Sequence, residues 1–223
     1  MGRVLLVRHG ETDGNRKKVL QLPSTPLNAN GHGQAAKAAR RIARDFAVTE
    51  IICSDLQRTQ DTAAPLVKAT NLTPTLSELL QERSFGDLRG QPFEFLARNN
   101  IQPFDPSYSP PGGESVPEFH VRAERAWEVV LERASALATD QVLAVVTHGL
   151  VLDALVKKHV QIPVEAQLAK VIAFKNTSLT FVDTNAEPDL DGRFPLVDEL
   201  FNDDSHLEDE DRDPTFNKVL SSI

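Results

Sequence analysis

The 223-residue sequence contains one cysteine, one tryptophan and one tyrosine. Because Cys53 has no second thiol in the chain, an intramolecular disulfide and a cysteine-rich metal site are both excluded. Aromatic residues make up 6% of the chain and are mostly phenylalanine, so an aromatic stacking surface for single-stranded nucleic acid is not expected. A lone cysteine is typical of a protein that works in the reducing cytoplasm.

Long hydrophobic runs are also absent. No segment approaches the roughly 20 apolar residues that cross a bilayer. The apolar run at the N-terminus ends at Arg8 and is too short for the core of a secretory signal. The sequence therefore predicts a cytoplasmic location and no membrane partner.

The net charge of -8 is unevenly distributed along the chain. Residues 183–213 hold 13 acidic and 2 basic side chains, whereas residues 1–182 hold 19 acidic and 21 basic ones. A general nucleic-acid binder needs a clear excess of lysine and arginine, so no nucleic-acid partner is expected. The acidic stretch has little apolar periodicity, and we expect an acidic C-terminal extension over 184–223 that is partly disordered or loosely packed.

Short apolar runs alternate with helical patterns along the first 182 residues. Strands are predicted at 3–8, 50–53 and 142–146, with a late β pair at 171–174 and 179–182. Helices are predicted at 31–44, 56–69, 115–137 and 150–159. Buried strands that alternate with helices predict an α/β fold, a three-layer sandwich with a mostly parallel sheet and helices on both faces.

Residues 85–117 interrupt this alternation. They include Pro103, Pro106, Pro110 and Pro111 and the pair Gly112-Gly113, and a long helical pattern resumes directly afterwards. We interpret this segment as an inserted lid region within a single domain that spans residues 1–183.

Arginine and histidine side chains follow three of the predicted strands. Arg8 and His9 end the first strand, Arg58 follows the second, and His148 ends the strand at 142–146. Ligands of open α/β sheets bind beyond the carboxyl ends of the strands. Arginine offers planar paired donors to phosphoryl oxygens, and a neutral histidine can attack phosphorus. The pattern predicts a cationic pocket for a phosphate group.

A structural or solvent-exposed role is the alternative for each of these residues. A single histidine after a strand most often has such a role, and a lone arginine near a helix start is usually a surface charge. We favour that interpretation for the remaining histidines of the chain, which are His32, His120, His159 and His206. The coincidence of suitable residue types at three strand ends favours the site instead.

An ordered series of motifs supports this interpretation. The segment Arg8-His9-Gly10-Glu11-Thr12 with Asn15 closely resembles the R-H-G-[E/Q]-[T/S]-x-x-N signature of the histidine phosphatase superfamily, the phosphoglycerate mutase-like proteins. Further segments similar to this family follow in order: Pro26-Leu27, Gly31-x-x-Gln34-Ala35, Ser54-Asp55-Leu56-x-Arg58, Leu80-x-Glu82, Pro111-Gly112-Gly113-Glu114-Ser115 and Val146-Thr147-His148-Gly149. The resemblance spans about residues 3–183.

The resemblance implies a role for each matching residue. His9 is similar to the nucleophile that becomes phosphorylated, and Glu82 to the general acid. The groups expected to hold the phosphate or the substrate are Arg8, Asn15, Gln21, Arg58, His148 and Gly149. For Thr12, Ser54 and Glu114, substrate contact and simple turn or cap duty stay open. Because arginine and histidine can stabilise the transferring phosphoryl group, neither a metal nor a cofactor is expected.

The sequence departs from the family pattern in two places, and the spacing after Glu82 indicates the branch of the family. The segment after Asn15 is shorter than in many relatives, and Arg89 stands where an acidic residue is usual. Mutases resemble longer chains with an extended insertion after the catalytic glutamate, whereas only 27 residues separate Glu82 from Pro110 here. This spacing favours a phosphatase. The segment Pro110-Pro111-Gly112-Gly113-Glu114 is similar to that of fructose-2,6-bisphosphatase-like proteins, and a broad-specificity phosphatase stays open.

The sequence thus predicts a metal-independent phosphomonoesterase that works through phosphohistidine. Its expected partners are small phosphorylated metabolites, either sugar phosphates or phosphoglycerates, and its expected state is a monomer or homodimer. A cofactor-dependent phosphoglycerate mutase is the main alternative. A non-catalytic binding module is the remote one, since the five catalytic positions Arg8, His9, Arg58, Glu82 and His148 are all retained.

Overall fold

The computed structural model describes residues 1–212 and is built around one sheet of five strands. In chain order the strands are β1 (Arg3–Arg8), β2 (Val48–Ser54), β3 (Thr75–Ser77), β4 (Val142–Thr147) and β5 (Leu179–Val182). Their spatial order is β3-β2-β4-β1-β5. The first four are parallel to their neighbours, and β5 pairs antiparallel with β1 at the edge. The predicted mostly parallel sheet is confirmed.

Seven α-helices accompany the sheet within the described residues. They are α1 (Asp13–Arg16), α2 (Ala29–Asp45), α3 (Gln57–Thr70), α4 (Phe93–Arg98), α5 (Val116–Ser135), α6 (Gly149–His159) and α7 (Val164–Leu168). Short 3₁₀ helices occur at Glu78–Leu80, Gly86–Leu88 and Asp209–Asp211. The four longer predicted helices are confirmed as α2, α3, α5 and α6.

The helices cover both faces of the sheet. Alternate residues of β1 point to opposite faces, so that Leu6 packs in the core under α5 and α6 whereas Leu5 packs in the core under α2 and α3. Trp127 of α5 and Ile42 of α2 are buried in these two cores. The three-layer α/β sandwich predicted from the sequence is therefore confirmed.

The start of α2 packs closely on the turn that follows β1. The Asn28 side chain caps this helix by accepting a hydrogen bond from the Gly31 amide at 2.8 Å. A Cβ atom at position 31 would lie 2.0 Å from the Glu11 carbonyl oxygen, so only glycine allows this approach. The contact fixes the turn that carries His9.

The strand predicted at 171–174 is wrong. Side chains satisfy the backbone there, because the Ile172 amide donates to Asp153 Oδ1 at 2.7 Å and the Ala173 carbonyl accepts from Asn202 Nδ2 at 2.8 Å. The Phe174 carbonyl accepts from Arg8 Nη1. The segment is an irregular connection whose apolar side chains still face inward. Only β5 remains of the predicted late β pair.

The loose packing expected for the acidic extension is also wrong within its described part, which ends at residue 212. Leu179 of β5 and Asp203 exchange both backbone hydrogen bonds at 2.9 Å. Asp203 also pairs with Arg41, and Lys37 lies 2.7 Å from Asp211 Oδ2. These acidic side chains pair with basic side chains of the domain, such as Lys37 and Arg41. Local sequence patterns do not reveal such contacts. The rest of the predicted extension, 213–223, lies outside the described residues.

None of the helices between residues 1 and 212 combines the length and the apolar character needed to cross a bilayer.

Candidate active site

The carboxyl ends of β1, β2 and β4 meet at one edge of the sheet because these strands are parallel. Arg8 is in register with Thr147, and the His9 amide donates to the Thr147 carbonyl at 2.9 Å. This pairing brings the rings of His9 and His148 to a centroid distance of 5.2 Å. The two histidines that the sequence places 139 positions apart are therefore neighbours.

The imidazole of His9 is held in one tautomer. Its Nδ1 lies 2.7 Å from the carbonyl oxygen of Gly10, which can only accept, so Nδ1 carries the proton and Nε2 carries the lone pair. Burial lowers the pKa of His9 well below its usual value, and the nearby positive charges of Arg8 and Arg58 lower it further. His9 is consequently a neutral imidazole at physiological pH.

His148 is completely buried behind His9. Its Nε2 lies 3.0 Å from the Ser54 hydroxyl at the end of β2. Burial lowers the pKa of His148 well below its usual value, with the charge of Arg58 as the next cause. Among the described residues, no group makes a hydrogen bond with its Nδ1. His148 is not among the residues that line the neighbouring cavity.

Arg8 and Arg58 provide positive charge close to His9. Arg8 donates to the Phe174 carbonyl, and Arg58 Nη1 donates to the Leu22 carbonyl at 3.2 Å. Burial lowers the pKa of Arg58 to about 10. This value is still well above neutral pH, so the guanidinium stays charged. Arg58 Nε is buried, and within residues 1–212 no acceptor binds it. A buried donor of this kind fits an anionic ligand.

Glu82 follows the 3₁₀ helix Glu78–Leu80 and lies in the same cavity. Its two carboxyl oxygens accept from the amides of Arg83 at 3.0 Å and Leu150 at 3.2 Å. Burial raises the pKa of Glu82, although those two amides and the charges of Arg58 and Arg8 oppose the shift. A raised pKa makes this carboxyl a candidate proton donor beside the neutral His9.

These groups surround a cavity of about 210 Å³. Seven of the lining residues are ones that the sequence predicts for the site, and we call this group the phosphate end: Arg8, His9, Asn15, Gln21, Arg58, Glu82 and Gly149. The arrangement combines a neutral imidazole, two guanidinium groups and a carboxyl with a raised pKa. Chemically, it suits binding a phosphoryl group and transferring it to histidine.

Comparison with known proteins decides the family. The family model described as "Histidine phosphatase superfamily (branch 1)" matches residues 4–189. The chain belongs to the histidine phosphatase superfamily. It is 33% identical over 211 residues to the "Probable phosphoglycerate mutase GpmB" of Yersinia enterocolitica, with 93% of this chain and 96% of that protein covered.

Solved structures of this superfamily share the fold. A mycobacterial glucosyl-3-phosphoglycerate phosphatase matches with a TM-score of 0.69 and 25% identity, covering 87% of this chain and 95% of its own. The α-ribazole phosphatase of Shigella flexneri matches with a TM-score of 0.72 and 24% identity, covering 91% and 96%. The predicted resemblance and the phosphoglycerate mutase-like fold are confirmed.

The structure brings the predicted site residues together at one sheet edge. All seven residues of the phosphate end were expected from the sequence, and His148 lies directly behind them. Asn15 and Gln21 are held by Thr12, whose hydroxyl lies 3.0 Å from the side-chain oxygens of both. Their individual roles in binding or catalysis stay predictions.

The three residues that the sequence leaves open lie outside the cavity lining. Thr12 caps α1, and Ser54 contacts His148. Glu114 accepts two hydrogen bonds of 2.8 Å from Arg122. Each of them supports neighbouring side chains rather than facing the cavity.

The four remaining histidines have the surroundings expected of structural or solvated residues. His32 and His120 are exposed. His159 stacks on Trp127 with the ring centroids 5.1 Å apart. His206 Nε2 lies 3.0 Å from the Thr177 hydroxyl.

The sequence analysis did not assign several other cavity residues. They come mainly from the lid region and the irregular segment, and Phe85 alone among them belongs to a family motif, the one that contains Glu82: Lys18, Arg83, Phe85, Phe93, Phe104, Lys170, Val171, Ile172 and Phe174. Arg89 also lines the cavity, and the sequence marks it as a departure from the family pattern. The proline-rich composition of 85–117 was the one available signal for the lid residues.

Metal ligands are scarce around the cavity. In the part of the chain that the structure describes, no cluster of three or more histidine, cysteine or carboxylate side chains is arranged to hold a metal ion. The phosphate end offers a single carboxyl beside two arginines, whereas Mg²⁺ prefers carboxylates and water. This donor set suits an anion better than a cation.

Proposed function

We propose that this protein is a phosphatase that hydrolyses monoesters of small phosphorylated metabolites through a phosphohistidine at His9. The observation that carries the proposal is the hydrogen bond between His9 Nδ1 and the Gly10 carbonyl, at 2.7 Å. It leaves the lone pair on Nε2 of an imidazole whose pKa is lowered by burial. A neutral, oriented nucleophile therefore shares the cavity with two arginines.

In the first step, His9 Nε2 attacks phosphorus and the bond between phosphorus and the ester oxygen breaks. The departing oxygen takes the proton of Glu82, so the product leaves as an alcohol and Glu82 becomes a carboxylate. Arg8 and Arg58 stabilise the negative charge on the transferring group. The raised pKa of Glu82 supports its role as the acid.

In the second step, water attacks the phosphorus of phosphohistidine and the bond between nitrogen and phosphorus breaks. The Glu82 carboxylate accepts a proton from that water, which restores the acid, and inorganic phosphate leaves. His148 lies next to His9, with the two ring centroids 5.2 Å apart, and we propose that it helps to hold the transferred group. Neither step calls for a metal or cofactor.

A phosphoglycerate mutase is the second candidate. It is favoured by the 33% identity to a protein named as a probable mutase, which covers almost the whole of both chains. It is disfavoured by the short spacing between Glu82 and Pro110. The two functions share the phosphorylation of His9 and differ in the group that accepts the phosphoryl group next. The acceptor is water for a phosphatase and a hydroxyl group of a phosphoglycerate for a mutase.

The deciding experiment supplies phosphorylated metabolites and follows both products. With a panel of sugar phosphates and phosphoglycerates, we expect stoichiometric release of inorganic phosphate and no interconversion of 2- and 3-phosphoglycerate, with or without 2,3-bisphosphoglycerate. Interconversion that outpaces phosphate release would assign the mutase function instead. The variant His9→Ala is the control, because it removes the nucleophile from both reactions.

The retained site argues against a non-catalytic module, which would tolerate loss of His9 or Glu82. The cytoplasmic location, the monomeric or homodimeric state and the lack of nucleic-acid partners stay predictions of the sequence.

A further inference from the structure

The cavity extends beyond its phosphate end into a region with a different chemistry. Apolar residues from two segments of the chain line it there. Phe85, Phe93 and Phe104 come from the lid region, and Val171, Ile172 and Phe174 come from the irregular segment before β5. The ester group of a phosphate bound at His9 would share one cavity with these apolar residues.

The lid side of this region is fixed by packing. The rings of Phe85 and Phe104 meet edge to face with their centroids 5.9 Å apart. Arg83 lies over the Phe85 ring, and its guanidinium nitrogens donate to three lid carbonyls, those of Glu114, Pro103 and Tyr108. The apolar wall is therefore preformed, with the N–H groups of Arg83 directed into the lid.

Groups that recognise hydroxyls are scarce in the same region. Apart from Asn15, Gln21 and Glu82, the described residues that line the cavity include no aspartate, glutamate, serine, threonine, asparagine or glutamine. The carbonyls of Ala173 and Phe174 already accept hydrogen bonds from Asn202 and Arg8. A sugar enclosed there would lose its hydrogen bonds to water without replacing them.

The polar side chains that do line this region are positively charged. Lys18 and Arg89 lie on two backbone segments that pair with each other, since the Phe93 amide donates to the Lys18 carbonyl and the Gly90 amide donates to the Leu20 carbonyl. Their charge attracts an incoming phosphate dianion. It provides no acceptor for the hydroxyl protons of a sugar.

We propose that the preferred substrates are phosphomonoesters with an apolar, ring-bearing leaving group. This inference rests on the proposed phosphatase function. The six apolar side chains form the leaving-group site. Polyhydroxylated sugar phosphates and phosphoglycerates are then poor substrates that react through the phosphate end alone.

The test compares kcat/KM for three primary alkyl phosphates: 2-phenylethyl phosphate, glycerol 3-phosphate and 3-phosphoglycerate. Because each is the ester of a primary alcohol, the chemistry of the departing oxygen is similar. We expect 2-phenylethyl phosphate to be favoured by at least about tenfold, since even one methylene in an apolar pocket is worth about tenfold or more. Equal rates, or a preference for either polar ester, would overturn the inference.

Two variants place the effect in the cavity. Phe104→Ala removes a half-buried ring, and Val171→Thr adds a hydroxyl with little change of shape. Both are expected to lower the ratio of the phenylethyl to the glycerol ester by about fivefold or more. Phe95→Ala is the matched control, because Phe95 lies on the lid helix α4 but does not line the cavity. An unchanged ratio in both cavity variants would contradict the proposed site.

The failure of this inference differs from the failure of the proposed function. If phosphate is released from all three esters without preference, the phosphatase function stands and the apolar leaving-group site falls. If no phosphate is released from these esters or from p-nitrophenyl phosphate, the proposed function is contradicted, and the inference with it.

Discussion

His9 and Glu82 share one cavity, and their pKa values are displaced in opposite directions. Burial lowers the pKa of the imidazole and raises that of the carboxyl, because in each case it disfavours the charged form. The neutral imidazole is the nucleophilic form, and the neutral carboxyl is the proton-donating form. The same physical cause thus prepares both groups for the first half of the reaction.

The first prediction at this scale concerns Glu82→Gln, which keeps the size of the side chain but cannot donate the proton. Loss of a positioned acid costs about 10²–10⁴-fold in rate. We expect a loss of this size for alkyl phosphates, whose leaving groups need protonation. The burst of p-nitrophenolate from p-nitrophenyl phosphate should hardly change, because that leaving group departs without a proton.

Pre-steady-state measurement of the burst separates the two steps, since Glu82 is also expected to activate water in the second. If Glu82→Gln slows the burst as much as it slows alkyl phosphate cleavage, Glu82 is not the acid. Glu114 does not replace it in that case, because Arg122 binds both of its carboxyl oxygens and it does not line the cavity.

The second prediction is a pH profile. For an alkyl phosphate, kcat/KM requires neutral His9 and protonated Glu82. It should remain high above the ordinary carboxyl pKa of 4.5 and fall only as the pH rises through the raised pKa of Glu82. The ionisation of His9 affects only the acid side, well below 6.5.

Dividing the wild-type profile by that of Glu82→Gln for the same ester cancels the ionisation of the substrate. The quotient should decline on the alkaline side. A quotient that is flat with pH, or one that rises, is incompatible with a protonated Glu82 in the first step.

The third prediction is that activity survives an excess of EDTA. The phosphate end has one carboxyl and two arginines, a donor set that disfavours Mg²⁺, and the single cysteine excludes a zinc–thiolate site. Phosphate release from p-nitrophenyl phosphate with and without the chelator is the measurement. Complete loss that a divalent ion restores would show that the reaction needs a metal.

At the scale of the elements, the loop that carries Glu82 is held from two sides. Arg122 of α5 donates to the carbonyls of Leu79 and Gln81 at 2.8 Å, just before Glu82. Arg83, just after it, donates to three carbonyls of the lid region. The position of the proposed acid therefore depends on the lid and on α5, as well as on its own 3₁₀ helix.

Elements with strong local signals could be predicted from the sequence. β1, β2 and β4 are apolar runs flanked by polar residues, and α5 begins with the capping residue Ser115. The segment 171–174 has the same apolar character, but Asp153 and Asn202 bind its backbone in place of a partner strand. Those contacts join residues distant in sequence and leave no local signal.

One part of the candidate site could likewise be predicted from the sequence, and another part could not. The phosphate end and the neighbouring His148 could be predicted, because Arg8, His9, Arg58 and His148 stand at or just after the ends of recognisable strands and match family motifs. The apolar side of the cavity could not, because it depends on how the lid region folds over the sheet edge. A phenylalanine such as Phe104 looks the same in sequence whether it lines a cavity or fills a core.

The fourth prediction concerns the element formed by residues 203–212, the described end of the acidic extension. Asp204 is buried and accepts from Lys175 at 2.7 Å and from Arg212 at 2.9 Å. Asp204→Asn weakens two charge-assisted hydrogen bonds, each of which is worth about 1.5–3 kcal/mol. We expect the melting temperature to fall by at least about 3 °C in a chain of this size.

The control is Asp191→Asn, which removes an exposed carboxylate from the same acidic stretch and should change the melting temperature little. Because its cationic partners lower the pKa of Asp204, the stabilisation is present at neutral pH and is lost as the pH falls through that lowered pKa. Equal melting temperatures for Asp204→Asn and wild type would contradict a structural role for this ion pair.

At the scale of the whole molecule, the two kinds of charge are separated. The acidic residues concentrate in 183–213, where several pair with Lys37, Arg41 and Lys175 on the outside of the domain. The cavity instead contains arginines and lysines around one carboxyl. A protein with a net charge of -8 thus keeps a positively charged site for a phosphate group, as expected for a member of the histidine phosphatase superfamily.

Capture of the phosphorylated protein tests most directly whether His9 is the residue that becomes phosphorylated. The variant Glu82→Gln is mixed with p-nitrophenyl phosphate, quenched in alkaline denaturant and analysed by intact mass and peptide mapping. We expect one added phosphoryl group on the peptide that contains His9, more of it than in the wild type, and none in Glu82→Gln combined with His9→Asn. A phosphoryl group on another residue, or wild-type turnover by His9→Asn alone, would contradict this role of His9.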